Sequence, residues 1–305
     1  MRRKYYTLDV FTETALAGNP LAVVLDCQGL DDKRMQAIAR EFNLAETVFV
    51  FEPHNPVNTA RLRIFTPGRE LSFAGHPTVG AAVLLAKLRA PELLARQDLR
   101  VVVEEGVGDI VCVARHRQNQ AAAAYFTLPR LPTPSGEAPS VETLARLLGL
   151  AVEDIGFGAH RPSAYSGGTP FVFAPIADRA ALARARPNAH SWGEHGGPAI
   201  YLYTRETERA GSAFRARMFA AGWGIVEDPA TGSAAAALAG ALMQFDPPAD
   251  GESMFVIEQG FEMGRPSLIS LGLEVENGAL RSPTIGGAAV IVSQGTSNLR
   301  AIRQA

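Results

Sequence analysis

Two segments of the chain, at 60–88 and 214–242, follow the same order of features. Each segment begins with a strand pattern, which is followed by a glycine-containing turn and an extended stretch. Each then ends with a glycine-containing loop and an alanine-rich helix. The first aligned residues are Arg61, Arg63, Phe65 and Gly68, which match Arg215, Arg217, Phe219 and Gly222. After a three-residue insertion, Ala74-Gly75-His76 aligns with Thr231-Gly232-Ser233. Self-similarity within a chain indicates a repeated structural unit. The sequence therefore predicts two copies of one α+β lobe.

The length of the chain agrees with two lobes. Its 305 residues are about twice the ~150 of a typical domain. A proline-dense segment at 129–139 is the best linker in the sequence, and we place the domain boundary there because such segments form extended connections.

The spacing of apolar residues predicts helices and strands that do not alternate regularly. The predicted helices cover 31–42, 77–88, 141–148 and 234–245. The predicted strands cover 5–10, 21–25, 46–51, 61–66, 100–104, 109–113, 123–128, 171–175, 199–203, 214–219, 255–259, 267–273 and 288–292. Without regular βαβα alternation, the fold class is α+β rather than doubly wound.

The charge balance of the chain limits its partners. Lysine and arginine number 29 against 31 aspartates and glutamates, which gives a net charge of −2, and no basic block occurs. Nucleic acids and anionic membranes attract clusters of basic residues, so we expect neither as a partner. A small molecule is the expected partner.

The apolar stretches of the chain are short. The longest, at 234–245, falls below the ~20 residues needed to span a bilayer. The opening segment, 1–13, lacks the apolar run of a signal peptide. Cys27 and Cys112 are too few and too isolated for a disulfide framework or a CxxC metal site. We therefore expect a soluble cytoplasmic protein.

Both repeated loops end where a helix begins. Unpaired N–H groups are expected there, at 75–78 and 232–235, with the positive end of the helix dipole behind them, and such ends attract anions. A GxxxxGK[ST] motif is absent, and Gly106-Val107-Gly108 precedes a strand rather than a helix, so a nucleotide phosphate is disfavoured. The expected ligand is a carboxylate.

Glu46 and His76 are the first two candidate catalytic residues. Glu46 opens the apolar segment 46–51, where a half-buried carboxylate could take and return a proton near neutral pH. The alternative for Glu46 is a solvent-facing position at a strand edge. His76 follows Gly75 at a predicted helix start, where a capping or turn role competes with chemistry.

The other candidates lie in turns and loops. Asp228-Pro229 is typical of a capping turn, and Ser233 could cap the alanine-rich helix. The turn at 17–20 places Asn19 at a strand end, and Gly168-Thr169 lie in a loop that could bind substrate or only turn. The remaining histidines are scattered in polar loops without carboxylates at metal-ligand spacing, which disfavours a metal site: His54, His116, His160, His190 and His195. A GxSxG elbow is also absent, which disfavours a serine hydrolase.

Five segments resemble the PhzF-like phenazine-biosynthesis family, whose members share the diaminopimelate epimerase-like fold. They are DVFTETALAGNPLAVV at 9–24, IAREFNLAETVFVF at 38–51, RIFTPGRELSFAGHPTVGAA at 63–82, GIVEDPATGSAAAAL at 224–238 and EQGFEMGRPSLI at 258–269. They span nearly the whole chain in family order. The resemblance implies two similar lobes, each a mixed sheet wrapped around a central helix, with the active site in the cleft between them.

The resemblance also implies that the last strand returns to the first lobe. The N-terminal lobe then comprises 1–128 and about 286–305, and the C-terminal lobe comprises 140–285. A homodimer is implied as well.

The resemblance assigns roles to individual residues. Glu46 matches the family's catalytic acid/base, and His76 and Asp228 match polar partners that orient substrate and assist proton movement. Gly75, Gly232 and Ser233 match positions that hold the substrate carboxylate, and we add Asn19, Gly168 and Thr169 as candidate substrate-binding residues. Ala45 stands where a phenazine-pathway enzyme would carry serine, which weakens the case for that specific substrate.

The cysteines help to distinguish reactions within this fold. A two-thiol epimerase needs one cysteine from each lobe, and the matching positions here are Ala74 and Thr231. We therefore predict a metal-free, cofactor-independent isomerase that moves a proton within a small anionic substrate, as in isomerisation of dihydro-hydroxyanthranilate. The alternatives are an amino-acid or hydroxy-acid racemase or epimerase with Glu46 and a second base, and a non-catalytic binding or interaction protein.

Overall fold

The computed structural model describes residues 2–118, 120–188, 192, 198–223 and 225–297. The chain divides into two compact units. Unit 1 comprises Met1–Thr127 and Gly286–Ala305, and unit 2 comprises Leu128–Ile285. Among the helices in the described ranges, none is both long and apolar enough to cross a membrane.

Within the residues that the structure describes, unit 1 is a mixed sheet with three helices. Its strands are β1 (Arg3–Val10), β2 (Asn19–Val24), β3 (Glu46–Phe51), β4 (Ala60–Phe65), β5 (Glu70–Leu71), β6 (Leu99–Glu105), β7 (Gly108–Arg115), β8 (Ala123–Thr127) and the second part of β17 (Ala279–Ser297). Its helices are α1 (Asp32–Phe42), α2 (Gly75–Arg89) and α3 (Pro91–Leu94). The β2–β3 and β4–β6 pairs are parallel, whereas β1 pairs antiparallel with β2 and with β17.

Helix α2 is the centre of unit 1. Every residue from 75 to 86 is buried, and the helix contacts β1, β2, β3, β6, β7 and β8. A helix that is apolar on all sides is stable only when other elements surround it. The alanines and glycines of α2 thus explain why the sheet wraps around it.

Unit 2 has the same plan. Its strands are β9 (Thr133–Pro134), β10 (Ser163–Ser166), β11 (Pro170–Pro175), β12 (Ile200–Thr204), β13 (Phe214–Ala220), β14 (Ile225–Asp228), β15 (Gly251–Gln259), β16 (Ser267–Glu276) and the first part of β17. Its helices are α4 (Val141–Leu148), α5 (Arg179–Arg184), α6 (Gly232–Phe245) and 3-10 turns at Val152–Asp154, Ala221–Trp223 and Phe261–Met263. Helix α6 is buried along most of its length and contacts β9, β10, β11 and β16. The predicted α+β fold, with a sheet around a central helix in each lobe, is confirmed.

The repeat extends to strand pairing and to an ion pair. Strand β4 is antiparallel to β3 and parallel to β6, just as β13 is antiparallel to β12 and parallel to β15. Arg63 Nε donates to Glu70 Oε1 at 2.6 Å, and its repeat partner Arg217 donates through Nε to Glu227 Oε1 at 2.8 Å. Each pair ties the first strand of the repeated segment to the short strand that precedes the central helix.

Three corrections to the predicted element boundaries concern the linker, the last strand and the central helices. The segment at 129–139 is not only a linker, because β9 pairs with β10, and proline is tolerated in such short edge strands. Strand β17 is far longer than the predicted 288–292, because its polar end pairs with β1 and Ser293 Oγ lies 2.7 Å from Thr7 Oγ1. Both central helices begin two residues earlier than predicted, at Gly75 and Gly232.

Several short elements were not predicted as separate helices or strands. They are β5, β9, β10, β14, α3, α5 and the three 3-10 turns. The strands among them span four residues or fewer and the helices span less than two turns, so each offers too few positions for a periodic pattern to emerge.

Candidate active site

Three polar side chains of unit 1 come together at the start of α2, and we name Asn19, Glu46 and His76 the acid-base cluster. Nε2 of His76 lies 3.2 Å from Oε2 of Glu46. On the other side of the ring, Nδ2 of Asn19 lies 3.3 Å from Nδ1 of His76. The cluster is largely enclosed, since 15% of the Glu46 side chain and 6% of the His76 side chain remain exposed.

The strands explain why Asn19 and Glu46 both lie next to His76. Strand β2 begins at Asn19, β3 begins at Glu46, and their parallel pairing sets Leu21 opposite Glu46. Gly18, with φ +66°, makes the turn into β2, and a side chain there would collide with the carbonyl oxygen of Val10. The two strand starts therefore lie side by side, where the second residue of α2 reaches both.

The hydrogen bonds of the acid-base cluster assign the proton on His76. The amide nitrogen of Asn19 can only donate, so Nδ1 accepts and the proton of the neutral ring lies on Nε2, beside the Glu46 carboxylate. Burial lowers the pKa of His76 to about 3, which keeps the imidazole neutral at physiological pH. His76 therefore places a neutral ring in close contact with the Glu46 carboxylate.

This neutral state predicts how stability depends on pH. Between the unfolded pKa of 6.5 and the folded pKa of about 3, the unfolded chain binds a proton that the folded chain does not. The contribution of His76 to stability is therefore lost as the pH falls through this range. His76→Gln has no imidazole to protonate at this position. On acidification, the urea midpoint of the parent should therefore fall by more than the urea midpoint of the variant.

The matched control is His116→Gln, at an exposed histidine of unit 1. The difference between the parent and His116→Gln reports how much the replacement of an exposed histidine changes the pH dependence of the urea midpoint. A parent-to-variant difference for His76→Gln that stays constant from near-neutral to acidic pH would contradict a neutral His76.

Unit 2 presents a second polar group, and we name Asp228, Thr231 and Gln259 the Asp228 cluster. Oγ1 of Thr231 donates to Oδ2 of Asp228 at 2.5 Å. Gln259 is fully buried, and its Nε2 donates to the Asp228 carbonyl at 2.8 Å and to Thr231 Oγ1 at 3.1 Å. Its Oε1 accepts from the Thr231 N–H at 3.1 Å. These bonds fix the carboxylate of Asp228 just before α6 begins.

The capping roles considered for Asp228, Ser233 and His76 are wrong. The N-caps are Ala74 for α2 and Thr231 for α6, and neither accepts a side-chain capping bond. His76 and Ser233 are second residues of their helices, and Asp228 ends β14 with its carboxylate bound to the Thr231 hydroxyl.

The predicted spans of unpaired N–H groups also need correction. The N–H of Thr78 donates to the Ala74 carbonyl at 3.2 Å, and that of Ala235 donates to the Thr231 carbonyl at 2.9 Å. Pro77 has no N–H at all. Helix geometry leaves Gly75 and His76 of α2, and residues 232–234 of α6, without acceptors inside their helices.

Gly168 and Thr169 lie at the exposed tip of the hairpin between β10 and β11. Gly168 has φ +134° and its N–H donates to Ser166 Oγ at 3.1 Å. Their substrate-binding role stays a prediction.

Among the histidines outside the acid-base cluster, His160 does not lie in a polar loop as predicted. The chain folds back at 157–160, so its ring is buried, stacks on Phe157 and places Nδ1 2.8 Å from the Tyr203 hydroxyl. His190 and His195 lie outside the described residues. Within the described part of the chain, no three His, Cys, Asp or Glu side chains form a group that could hold a metal ion.

Both cysteines are buried free thiols of unit 1. Burial raises the pKa of Cys27 to about 12 and raises that of Cys112 further. Neither thiol is suited to act as a base near neutral pH.

Gln259 is the main residue of these clusters that sequence reasoning missed. It lies in the matched segment 258–269, directly before a glycine, but its partners Asp228 and Thr231 are about thirty positions away in sequence. A glutamine on an apolar strand face was the available signal.

Comparisons with known proteins identify the family. The family model for phenazine biosynthesis-like proteins, PhzC-PhzF, matches residues 8–295. An uncharacterized isomerase of Mesorhizobium japonicum is 50% identical over 302 residues, covering 96% of this chain and 98% of that protein. The trans-2,3-dihydro-3-hydroxyanthranilate isomerase of Pseudomonas chlororaphis is 34% identical over 292 residues, covering 96% and 98%.

A solved structure agrees with these relatives. The phenazine biosynthesis protein of the PhzF family from Bacillus anthracis superposes with a TM-score of 0.85 at 27% identity, covering 98% of this chain and all of that one. The chain is accordingly an isomerase enzyme. As its motifs predict, it belongs to the phenazine biosynthesis-like, or PhzC-PhzF, family.

Proposed function

We propose that the protein is a cofactor-independent isomerase that moves a proton within a small, carboxylate-bearing substrate resembling a cyclic amino acid. Glu46 removes a proton from a carbon next to an unsaturated group, and the electron pair of the broken C–H bond enters the conjugated system. Glu46 then returns the proton to another carbon on the same face. One C–H bond breaks, one forms, and a double bond migrates.

The observation that carries the proposal is the contact between Glu46 and the neutral imidazole of His76 at 3.2 Å. A carboxylate that is mostly shielded from water can hold a proton between its removal and its return. Nε2 of His76 faces the Glu46 carboxylate, and Asn19 fixes the ring through Nδ1. General acid–base catalysis and charge stabilisation suffice for such a shift.

In the proposal, Asp228 and the helix N-termini have the substrate-binding roles that the family resemblance assigns to them. The Asp228 carboxylate, held by Thr231, accepts hydrogen bonds from a substrate amino or hydroxyl group. The N–H groups at the start of α2 and α6 stabilise the substrate carboxylate and the charge that develops on it.

The substrate is proposed at the level of its chemical class. The Pseudomonas chlororaphis relative is named for trans-2,3-dihydro-3-hydroxyanthranilate, which fits a carboxylate-bearing ring with a migrating double bond. Ala45, next to the proposed base, lacks the hydroxyl that the family's phenazine enzymes are expected to present at this position. A related ring acid with a different substituent is therefore the proposed substrate.

Proton NMR in D₂O tests this function. The protein is incubated with trans-2,3-dihydro-3-hydroxyanthranilate and with a panel of cyclic amino and hydroxy acids. We expect at least one ring acid to show a migrated double bond, with deuterium at the newly protonated carbon in the fraction of turnovers in which the proton on Glu46 exchanges before its return. Loss of configuration at one carbon without double-bond migration would instead identify a racemase or epimerase, and binding without any exchange would identify a non-catalytic protein.

A homodimer and a cytoplasmic location remain predictions. Light scattering of the purified chain would check the first, and fractionation of the native cell would check the second.

A further inference from the structure

The repeat aligns a glutamate of unit 1 with the glutamine of the Asp228 cluster. Arg61 lies opposite Glu104 in the parallel β4–β6 pair, and its repeat partner Arg215 lies opposite Glu258 in the β13–β15 pair. Glu104 and Glu258 are thus equivalent. The residues that follow them, Glu105 and Gln259, then occupy one position of the repeat.

The hydrogen bonds of Glu104 and Glu258 support this alignment. The carboxylate of Glu104 accepts from the N–H groups of His54 and Asn55, both at 2.8 Å. The carboxylate of Glu258 accepts from two consecutive N–H groups in the same way, at 2.9 and 2.7 Å. The two glutamates therefore bind the backbone of corresponding loops, at 54–55 in unit 1 and at 208–209 in unit 2.

Glu105 and Gln259 also share a role, because each contacts the start of a central helix. Gln259 binds both the N–H and the hydroxyl of Thr231, the N-cap of α6. Oε1 of Glu105 lies 2.6 Å from Thr78 Oγ1, which in turn lies 2.7 Å from the carbonyl oxygen of Ala74, the N-cap of α2. All three of these unit 1 residues are buried.

The hydrogen-bond donors available in these contacts determine the protonation state of Glu105. A carbonyl oxygen can only accept, so the single hydroxyl proton of Thr78 goes to Ala74. The proton between Thr78 and Glu105 must then come from the carboxyl group. Consistent with this, the second oxygen, Oε2, is buried and has no hydrogen-bond partner within the described part of the chain. An ionised carboxylate in that setting would be costly.

We propose that Glu105 is a positioning residue that donates, as a neutral carboxylic acid, to Thr78 and thereby holds the first turn of α2. That turn carries Gly75 and His76, so the role of Glu105 in catalysis rests on the proposed function. In unit 2, Gln259 performs the corresponding task with an amide, which is a permanent neutral donor.

The surroundings of Glu105 favour the neutral acid. Burial raises the pKa of Glu105 to about 8. The other titratable or charged groups of α2, β4, β6 and β7 are His76, Lys87, Arg89, Arg61, Arg63, Arg100, Glu104, Asp109, Cys112 and Arg115. Of these, His76 is neutral, the Cys112 thiol is held neutral by burial, and the Glu104 carboxylate binds the His54 and Asn55 N–H groups.

The first test compares Glu105→Gln with Glu105→Leu. The amide of Glu105→Gln can still donate to Thr78, so we expect kcat within about threefold of the parent near neutral pH and no decline as the pH rises past ~8. The parent should lose activity over that range as Glu105 ionises. Glu105→Leu cannot donate, and we expect at least a tenfold loss of kcat at every pH. Glu92→Gln, at an exposed acid of α3, is the control and should match the parent throughout.

The second test needs no catalytic activity, so it separates this inference from the proposed function. The infrared carbonyl band of a protonated carboxylic acid should be present in the parent at neutral pH, disappear with a midpoint near pH 8, and be absent from Glu105→Gln. In urea unfolding, the parent should lose stability relative to Glu105→Gln as the pH rises from ~5 to ~8, because only the unfolded chain releases the proton there. Absence of the band in the parent, or equal damage from Glu105→Gln and Glu105→Leu, would overturn the proposal.

Discussion

Replacing Glu46 with glutamine should lower kcat for the proton shift by about 10²- to 10⁴-fold, the usual contribution of a general acid or base. Glutamine has nearly the same shape, so its side chain can occupy the same place beside Nε2 of His76, which lies 3.2 Å from Oε2 of Glu46 in the parent. It cannot take a proton from carbon. The loss should therefore appear in kcat, with little change in KM or in the urea midpoint. Steady-state kinetics on the substrate found by NMR would measure it.

The control for Glu46→Gln is Glu41→Gln, at an exposed position on α1. It makes the same chemical change in the same unit, and we expect parental kcat. If Glu46→Gln also retains parental kcat, another group removes the proton and the assignment of the base is wrong.

Replacing Gly260 with alanine should destabilise unit 2 and weaken catalysis together. Gly260 follows Gln259 with φ +79°, and an added Cβ would lie 2.5 Å from the carbonyl oxygens of both Pro229 and Arg265. The left-handed conformation costs a non-glycine residue ~1–2 kcal/mol, and overpacking against fixed neighbours adds ~1–3 kcal/mol. Pro229 lies between Asp228 and Thr231, so relief of the clash must displace the Asp228 cluster. Urea unfolding and kcat/KM would measure the two effects.

Gly264→Ala is the matched control for Gly260→Ala. Gly264 lies in the same loop with φ +69°, but an added Cβ would meet no atom within 4 Å. We therefore expect only the conformational cost of ~1–2 kcal/mol and an unchanged kcat/KM. Equal losses of stability and activity in the two variants would show that the contact with Pro229 does not position Asp228.

The central helices could be predicted from the sequence because their apolar character is continuous. Their interiors are buried on all sides, and runs of alanine, valine and leucine indicate such burial directly. Their first residues were predicted two positions too late. Gly75 and Gly232 have weak intrinsic helix preference, and the caps Ala74 and Thr231 make no side-chain capping bond that would mark the start.

The candidate site could be predicted residue by residue but not as a geometry. Glu46 and His76 were recognisable from their local surroundings and from family motifs. Their contact depends on the parallel pairing of β2 with β3 and on the position of α2, which involve distant parts of the chain. Gln259 and Glu105 are supporting residues whose partners lie 27 or more positions away, so no local pattern marks them.

The repeat was visible at the level of sequence but its consequences were not. Aligned arginines indicated two related segments. Strand register pairs Glu104 with Glu258, and hence the neutral acid Glu105 with Gln259, and these residues lie beyond the segments 60–88 and 214–242 in which the repeat was recognised.

The central claim is that one base, Glu46, removes and returns the proton on a single face of the substrate. A single turnover in ordinary water, with substrate deuterated at the carbon that loses its proton, tests this most directly. We expect a measurable fraction of the product to carry the substrate's deuterium at the newly protonated carbon. The shielded carboxyl group of Glu46 should return part of this deuterium before it exchanges with solvent hydrogen. Product containing only solvent hydrogen, delivered to the opposite face, would require a second base and would contradict the account.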